Sequence, residues 1–220
     1  MLSPYLERVQ IDFSVSKQDE LASSIVHMIG FGLNLTAMVL LVVFSALKGN
    51  STQIVSFTLF GAFLNIYYIF SVLFHSFQGS ITKRVFRILE LCGTYLLMAG
   101  VAIPLSLVVI GGQIGWIFFG IFVGLSILGI VNIATNQPGA STRATILHIF
   151  FLITGVVFVI LTYSDFPAGL KIWMGISMLS LSLGLFIRGL RGIAFRHAFS
   201  HLAYLVASIS LFFSFFVYYV

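Results

Sequence analysis

Residues 114–134 read IGWIFFGIFVGLSILGIVNIA, 21 consecutive positions without a charged side chain, in which only Ser126 and Asn132 carry a hydroxyl or an amide. At 1.5 Å per residue a helix of this length covers about 30 Å, the thickness of the hydrocarbon core of a bilayer. A lipid-facing strand would alternate apolar and polar residues over about ten positions. This stretch is instead continuously apolar, so it is read as a membrane-spanning helix, which satisfies its own backbone hydrogen bonds inside lipid.

Working outward, the same test finds spans at 24–47, 54–77 and 88–110 before this block and at 144–163, 170–187 and 197–219 after it. The links between them (Lys48 to Ser51, Gln78 to Arg87, Gly111 to Gln113, Asn136 to Arg143, Ser164 to Gly169, Arg188 to Arg196) are short and carry turn and charge signals. They leave no room for a separate soluble domain. The expectation is an all-α integral membrane protein, one seven-helix bundle over residues 1–220 with a short N-terminal segment, 1–23. Composition agrees: 60% of the 220 residues are hydrophobic and 8% charged, with a mean hydropathy of +1.12, where a soluble domain carries roughly 25% charged residues. Small residues inside the spans, Gly120, Gly124, Gly129, Ser177, Ser180, Ser182 and Gly184, suit close helix packing in lipid.

Lys and Arg favour the cytoplasmic side of a bilayer. Alternate links place Arg8, Lys17, Lys83, Arg84, Arg87, Arg143, Arg188, Arg191 and Arg196 on one side, against Lys48 and Lys171 on the other. The N-terminus is therefore expected in the cytoplasm and the C-terminus outside. Residues 1–20 lack the basic start, apolar run and cleavage site of a signal peptide, so the first span is expected to serve as its own insertion signal. The net charge of +5 comes from basic residues scattered in short clusters. That distribution fits membrane orientation better than a nucleic-acid surface, and no nucleic-acid partner is expected. A single cysteine, Cys92, cannot form an internal disulfide or a paired-cysteine zinc site.

In this orientation all five histidines fall on the cytoplasmic side: His27 near the start of the first span, His75 near the end of the second, His148 near the start of the fifth, and His197 and His201 in the first turns of the seventh. Glu90, the acidic residue set within an apolar run, lies at a similar depth at the start of the third. Ionisable groups in membrane spans are costly enough to be read first as functional candidates. His197 and His201, four residues apart, share one helical face and can supply two positions of a tetrahedral zinc ion. Ala198 stands where the zinc proteases of the H-E-x-x-H type carry glutamate. A third ligand must come from another helix, and His75 suits by depth, with Ser71 one turn before it on the same face. Glu90 is then placed to orient or deprotonate a water. The competing reading is that these histidines are interhelical hydrogen-bonding groups, the favoured one for His27 and His148, which have no i+4 partner.

Four stretches together resemble the hemolysin III branch of the PAQR membrane-protein family. Glu20 to Gly30 is similar to that family's opening E-x-x-N-x-x-x-H-x-x-G, with Ser23 where asparagine is usual. Ser71 to His75 resembles its S-x-x-x-H, Arg87 to Pro104 its third-span pattern, and His197 to His201 its closing H-x-x-x-H. The resemblance implies a zinc ion near the cytoplasmic face held by His75, His197 and His201. The family's aspartate falls at Glu90 and its following histidine at Leu91.

Three functions follow from the resemblance. One is a zinc-dependent hydrolase of membrane-lipid amide or ester bonds, like the related alkaline ceramidases, with Glu90 moving the proton and Ser71 stabilising the oxyanion. Another is a non-enzymatic sensor or regulator of membrane lipid or energetic state, in which zinc ties the second and seventh spans together and Glu90 is the fourth ligand. The third, a pore former, is the least supported, because no span carries a repeating polar face to line a channel. Membrane lipids are the expected partners, and the cell (inner) membrane the expected location.

Overall fold

Each apolar block forms a helix, and several helices run on into the charged segments that flank the blocks. The computed structural model describes residues 4–9, 11, 15–190 and 192–220. A single turn, α1 (Pro4–Glu7), precedes α2 (Lys17–Lys48), α3 (Ser51–Ser76) and α4 (Ser80–Pro104). The last of these continues as a π-helical stretch over Leu105–Ile110. Then come α5 (Gly112–Thr135), α6 (Ala140–Thr162), a 3₁₀ turn at Tyr163–Asp165, α7 (Ala168–Gly189) and α8 (Arg196–Tyr219). Among the described residues there is no strand, and seven helices are long and apolar enough to cross a membrane.

Local chemistry sets the helix ends. Asn50 and Gln53 form a reciprocal capping box at the start of α3, with Gln53 N donating to Asn50 Oδ1 at 3.0 Å and Asn50 N donating to Gln53 Oε1 at 2.9 Å. Gln53 Nε2 also donates to the Tyr219 carbonyl at 2.5 Å, tying the start of α3 to the end of α8. Pro104 offers no backbone N–H, and the helix beyond it widens to the π form, an accommodation typical of an interrupted hydrogen-bond ladder.

Two starts lie well before the expected ones. α2 begins at Lys17 rather than residue 24, and α4 at Ser80 rather than residue 88. Hydropathy reads Asp19, Glu20, Lys83, Arg84 and Arg87 as loop residues because each costs several kcal/mol to bury alone. Here they are buried or half-buried in company. Glu20 lies 2.9 Å from Lys83 Nζ, and Arg84 Nη1 donates to the Leu6 carbonyl at 3.1 Å and to that of Val9. The basic residues of the third span thus double as internal partners. Asp12 and Arg191 lie outside the described residues.

α2 packs on α3 and α8, α8 on α7, α3 on α4, α4 on α5, and α5 on α6. One apolar core joins Leu41, Phe57, Phe60, Leu64, Leu205 and Phe215 from α2, α3 and α8. A second joins Phe118, Phe122, Phe158 and Leu170 and draws α6 towards α7. Only some of the small residues serve packing. A Cβ on Gly129 would come within 2.2 Å of the Tyr95 ring, and one on Gly184 within 2.3 Å of the Tyr204 ring, whereas Gly120 and Gly124 face open space. Ser177 is buried, while the exposed Ser182 hydroxyl donates back to the Met178 carbonyl.

Candidate metal centre

The end of the bundle where α2, α4 and α8 start and α3 finishes holds four imidazoles in one connected cluster. His27, His75 and His201 are all buried, and each offers a nitrogen so placed that the three lie within 4.8 Å of one another. The His27 and His75 rings are stacked with centroids 5.4 Å apart, and His27 and His201 are 4.3 Å apart. His197 stands at the rim, half-buried, with its Nε2 3.1 Å from His201 Nε2 and its ring 5.1 Å from that of His75.

Of the residues singled out in the sequence, His75 and His201 are therefore brought together. His197 is adjacent but outside the buried trio, and His27 takes the third place. Neither ring nitrogen of His27 has a hydrogen-bond partner among the described residues. His148 makes hydrogen-bonding contacts: its Nδ1 lies 2.7 Å from the Ala144 carbonyl and 3.2 Å from the Tyr95 hydroxyl. Glu90 Oε1 lies 3.9 Å from His75 Nε2 and accepts from the Ser71 hydroxyl at 3.5 Å. Its other oxygen, Oε2, is held by Arg87 Nη1 at 2.5 Å. Both acid and hydroxyl are buried.

Asp19 and Glu20 fall in the expected N-terminal segment, outside the expected first span, and the structure gives them central positions. Glu20 Oε2 accepts from His75 Nδ1 at 2.7 Å, which fixes the ring and leaves Nε2 with its lone pair. Its other oxygen faces Lys83 Nζ. Asp19 serves the opposite wall. The residue at the N-cap of α8, Phe195, has φ +56° and no side chain able to cap. Asp19 reaches over from α2 instead, accepting from Ala198 N at 2.9 Å and His197 N at 3.4 Å. A carboxylate there satisfies orphan N–H groups and meets the positive end of the helix dipole. Asp19→Ala is expected to cost about 0.5–2 kcal/mol and Asp19→Asn, also a good cap, much less. Equilibrium denaturation in detergent micelles measures both, and equal losses would rule the capping role out.

Buried imidazole nitrogens converging without hydrogen-bond partners are the donor set of a transition-metal site. Seven apolar spans around such a cluster define a multi-pass membrane protein with a candidate metal centre.

The chain belongs to the haemolysin III-related family, whose model matches residues 15–209. It is 29% identical over 207 residues to the hemolysin-3 homolog of Bacillus subtilis (strain 168), covering 89% of this chain and 92% of that one. It is 33% identical over 114 residues to Hemolysin-3 of Bacillus cereus, a match spanning 52% of either protein, so about half the length of that relative is covered. No solved structure matches the chain.

Proposed function

We propose that the cluster holds a zinc ion and that the protein hydrolyses amide or ester bonds of membrane lipids. The observation that carries the reading is the set of buried nitrogens without partners: both of His27, Nε2 of His75 and Nδ1 of His201. Each such atom costs about 1–3 kcal/mol if left bare, and neutral imidazole is a preferred zinc ligand. His27, His75 and His201 would hold the ion, with His197 next to them. When bound, zinc supplies a Lewis acid that polarises a carbonyl and brings the pKa of a water near 7.

The remaining work falls to the chain's own groups. Glu20 holds His75 in the tautomer that presents Nε2. Arg87 pins one oxygen of Glu90, so that the other, beside His75 Nε2, can take a proton from the attacking water and return it to the leaving group. Ser71, now donating to that carboxylate, is the candidate donor to the developing oxyanion. The excess of Lys and Arg on the links at this end supports a cytoplasmic position for it. A second reading, a lipid sensor with structural zinc, is favoured by the same 3.9 Å approach of Glu90 to His75, since the carboxylate is close enough to serve as a fourth ligand.

The test combines elemental analysis with a lipid assay. Protein purified in detergent without chelator is reconstituted in vesicles containing ceramide and phospholipid, and fatty-acid release is followed. The hydrolase reading expects about one zinc per chain, retained in Glu90→Gln while release falls on the order of 100-fold or more. Loss of zinc in Glu90→Gln, with no release by the wild type, would establish the structural role instead.

A further inference from the structure

An apolar groove of about 220 Å³ runs along the seam between α2 and α8, lined by Gly30, Leu33, Ala37 and Leu40 on one side and Leu205, Ile209, Phe212 and Phe213 on the other. Three features separate it from the shallow furrow that any two helices leave. First, it is one layer deep: Tyr68, which lines it, belongs to α3 behind the seam and is itself buried. Second, small residues hold it open. Ala37 and Ser208 add little bulk to its walls, while Gly30 lets the Tyr68 ring close on the α2 backbone, since a Cβ there would lie 2.4 Å from it. Third, polar groups at its floor are already satisfied. The Tyr68 hydroxyl donates to Ser208 Oγ at 3.0 Å, Ser208 donates to the Tyr204 carbonyl at 3.1 Å, and Asn34 Nδ2 donates to the Gly61 carbonyl at 3.0 Å. A ligand therefore meets mainly hydrocarbon walls.

The direction and depth of the groove say what fills it. Residues 30–40 rise about 15 Å along α2, half of a hydrocarbon core of roughly 30 Å. The groove lies inside the membrane-spanning part of both helices and runs parallel to them, as extended acyl chains do. One end of it also adjoins the metal centre. Gly30 follows His27 by one turn and Leu205 follows His201 by one turn, while the Tyr68 ring lies 5.9 Å from the His27 ring. Tyr68 is thus the wall between groove and histidines.

We propose that the α2–α8 groove is a seat for one acyl chain of a bilayer lipid, its end resting against Tyr68 one helical turn from the histidine cluster. The seat itself does not need the metal. Its bearing on catalysis rests on the hydrolase reading above, for which it would bring a lipid alongside the cluster from the α2–α8 side.

The experiment uses the full chain in phosphatidylcholine–phosphatidylglycerol vesicles doped with a phospholipid bearing a photoactivatable diazirine on one acyl chain. Cross-linked positions are mapped by mass spectrometry, and zinc is measured in the same samples. Labelling is expected to concentrate on residues 33–40 and 205–213 at several times the yield on the lipid-facing side of α6, where Leu152 and Ile160 are highly exposed. Ala37→Trp, which fills the groove, should lower the yield at the seam at least five-fold and leave α6 unchanged. Ser208→Leu, which fills it from the other wall, should act alike and guards against a folding defect in one variant. Uniform labelling of groove and α6 in the wild type, or yields unaffected by both variants, overturns the seat. Zinc content reports separately on the metal centre, so the two readings can fail independently.

Discussion

Zinc content is expected to fall from about one ion per chain to a small fraction of that in His27→Ala, His75→Ala and His201→Ala, with the smallest loss in His197→Ala. The order matters more than the size. The family resemblance implies His75, His197 and His201, whereas the trio whose nitrogens converge is His27, His75 and His201. The two sets share His75 and His201, so those variants confirm a metal site without locating it. His27 and His197 decide between them. His27 is buried with both nitrogens unpartnered, and His197 is half-buried at the rim beside His201. Removing a ligand from a tetrahedral site outweighs disturbing a neighbour, which typically costs 10–100-fold in affinity. Elemental analysis of the four purified variants gives the answer, and zinc kept in His27→Ala but lost in His197→Ala would return the site to the set the resemblance implies.

The second large effect is at Glu20. Its two oxygens serve different partners, His75 Nδ1 at 2.7 Å and Lys83 Nζ at 2.9 Å, and Lys83 is only 3% exposed. Glu20→Ala strands the lysine charge in the bundle, and breaking one side of a buried pair costs about 3–5 kcal/mol. Removing both charges together is different, because a well-packed apolar pair of similar volume is often neutral or better. Glu20→Leu combined with Lys83→Met is therefore expected to recover most of the lost stability. It is not expected to recover zinc affinity, since His75 Nδ1 would still lack its anchor. Denaturation midpoints and zinc titrations of the single and double variants separate the two roles. A double variant as unstable as Glu20→Ala would show that the lysine charge is not what makes the single change costly.

How much of this could be read from the sequence depends on the range of the signal. The spans were legible because lipid imposes length and continuity on each segment independently of its neighbours, as in residues 114–134. His201 was legible from its i+4 spacing to His197, and His75 from its depth on a neighbouring span. His27 was not, because it has no ligand partner on its own helix. Its place in the cluster arises from the packing of α2 against α3 and α8, which one-dimensional spacing does not encode. Glu20 and Lys83 were hidden for a related reason. Each alone marks the end of an apolar run, and only their pairing, 63 positions apart in the sequence numbering, lets both helices extend past the expected ends. The cap supplied by Asp19 to α8 is the longest-range case, and nothing local in the sequence points to it.

That cap has a consequence for the order of events in the cell. α2 is synthesised before the other spans and α8 after them, yet Asp19 on one holds the first turn of the other, and the histidine trio draws on α2, α3 and α8. During translation the early spans enter the bilayer with His27 and His75 beside a gap that only α8 can fill. Capture of a metal by all three imidazoles would therefore have to follow completion of the last span, and a chain stalled before it would hold two of the three histidines and an Asp19 without the N–H groups it caps.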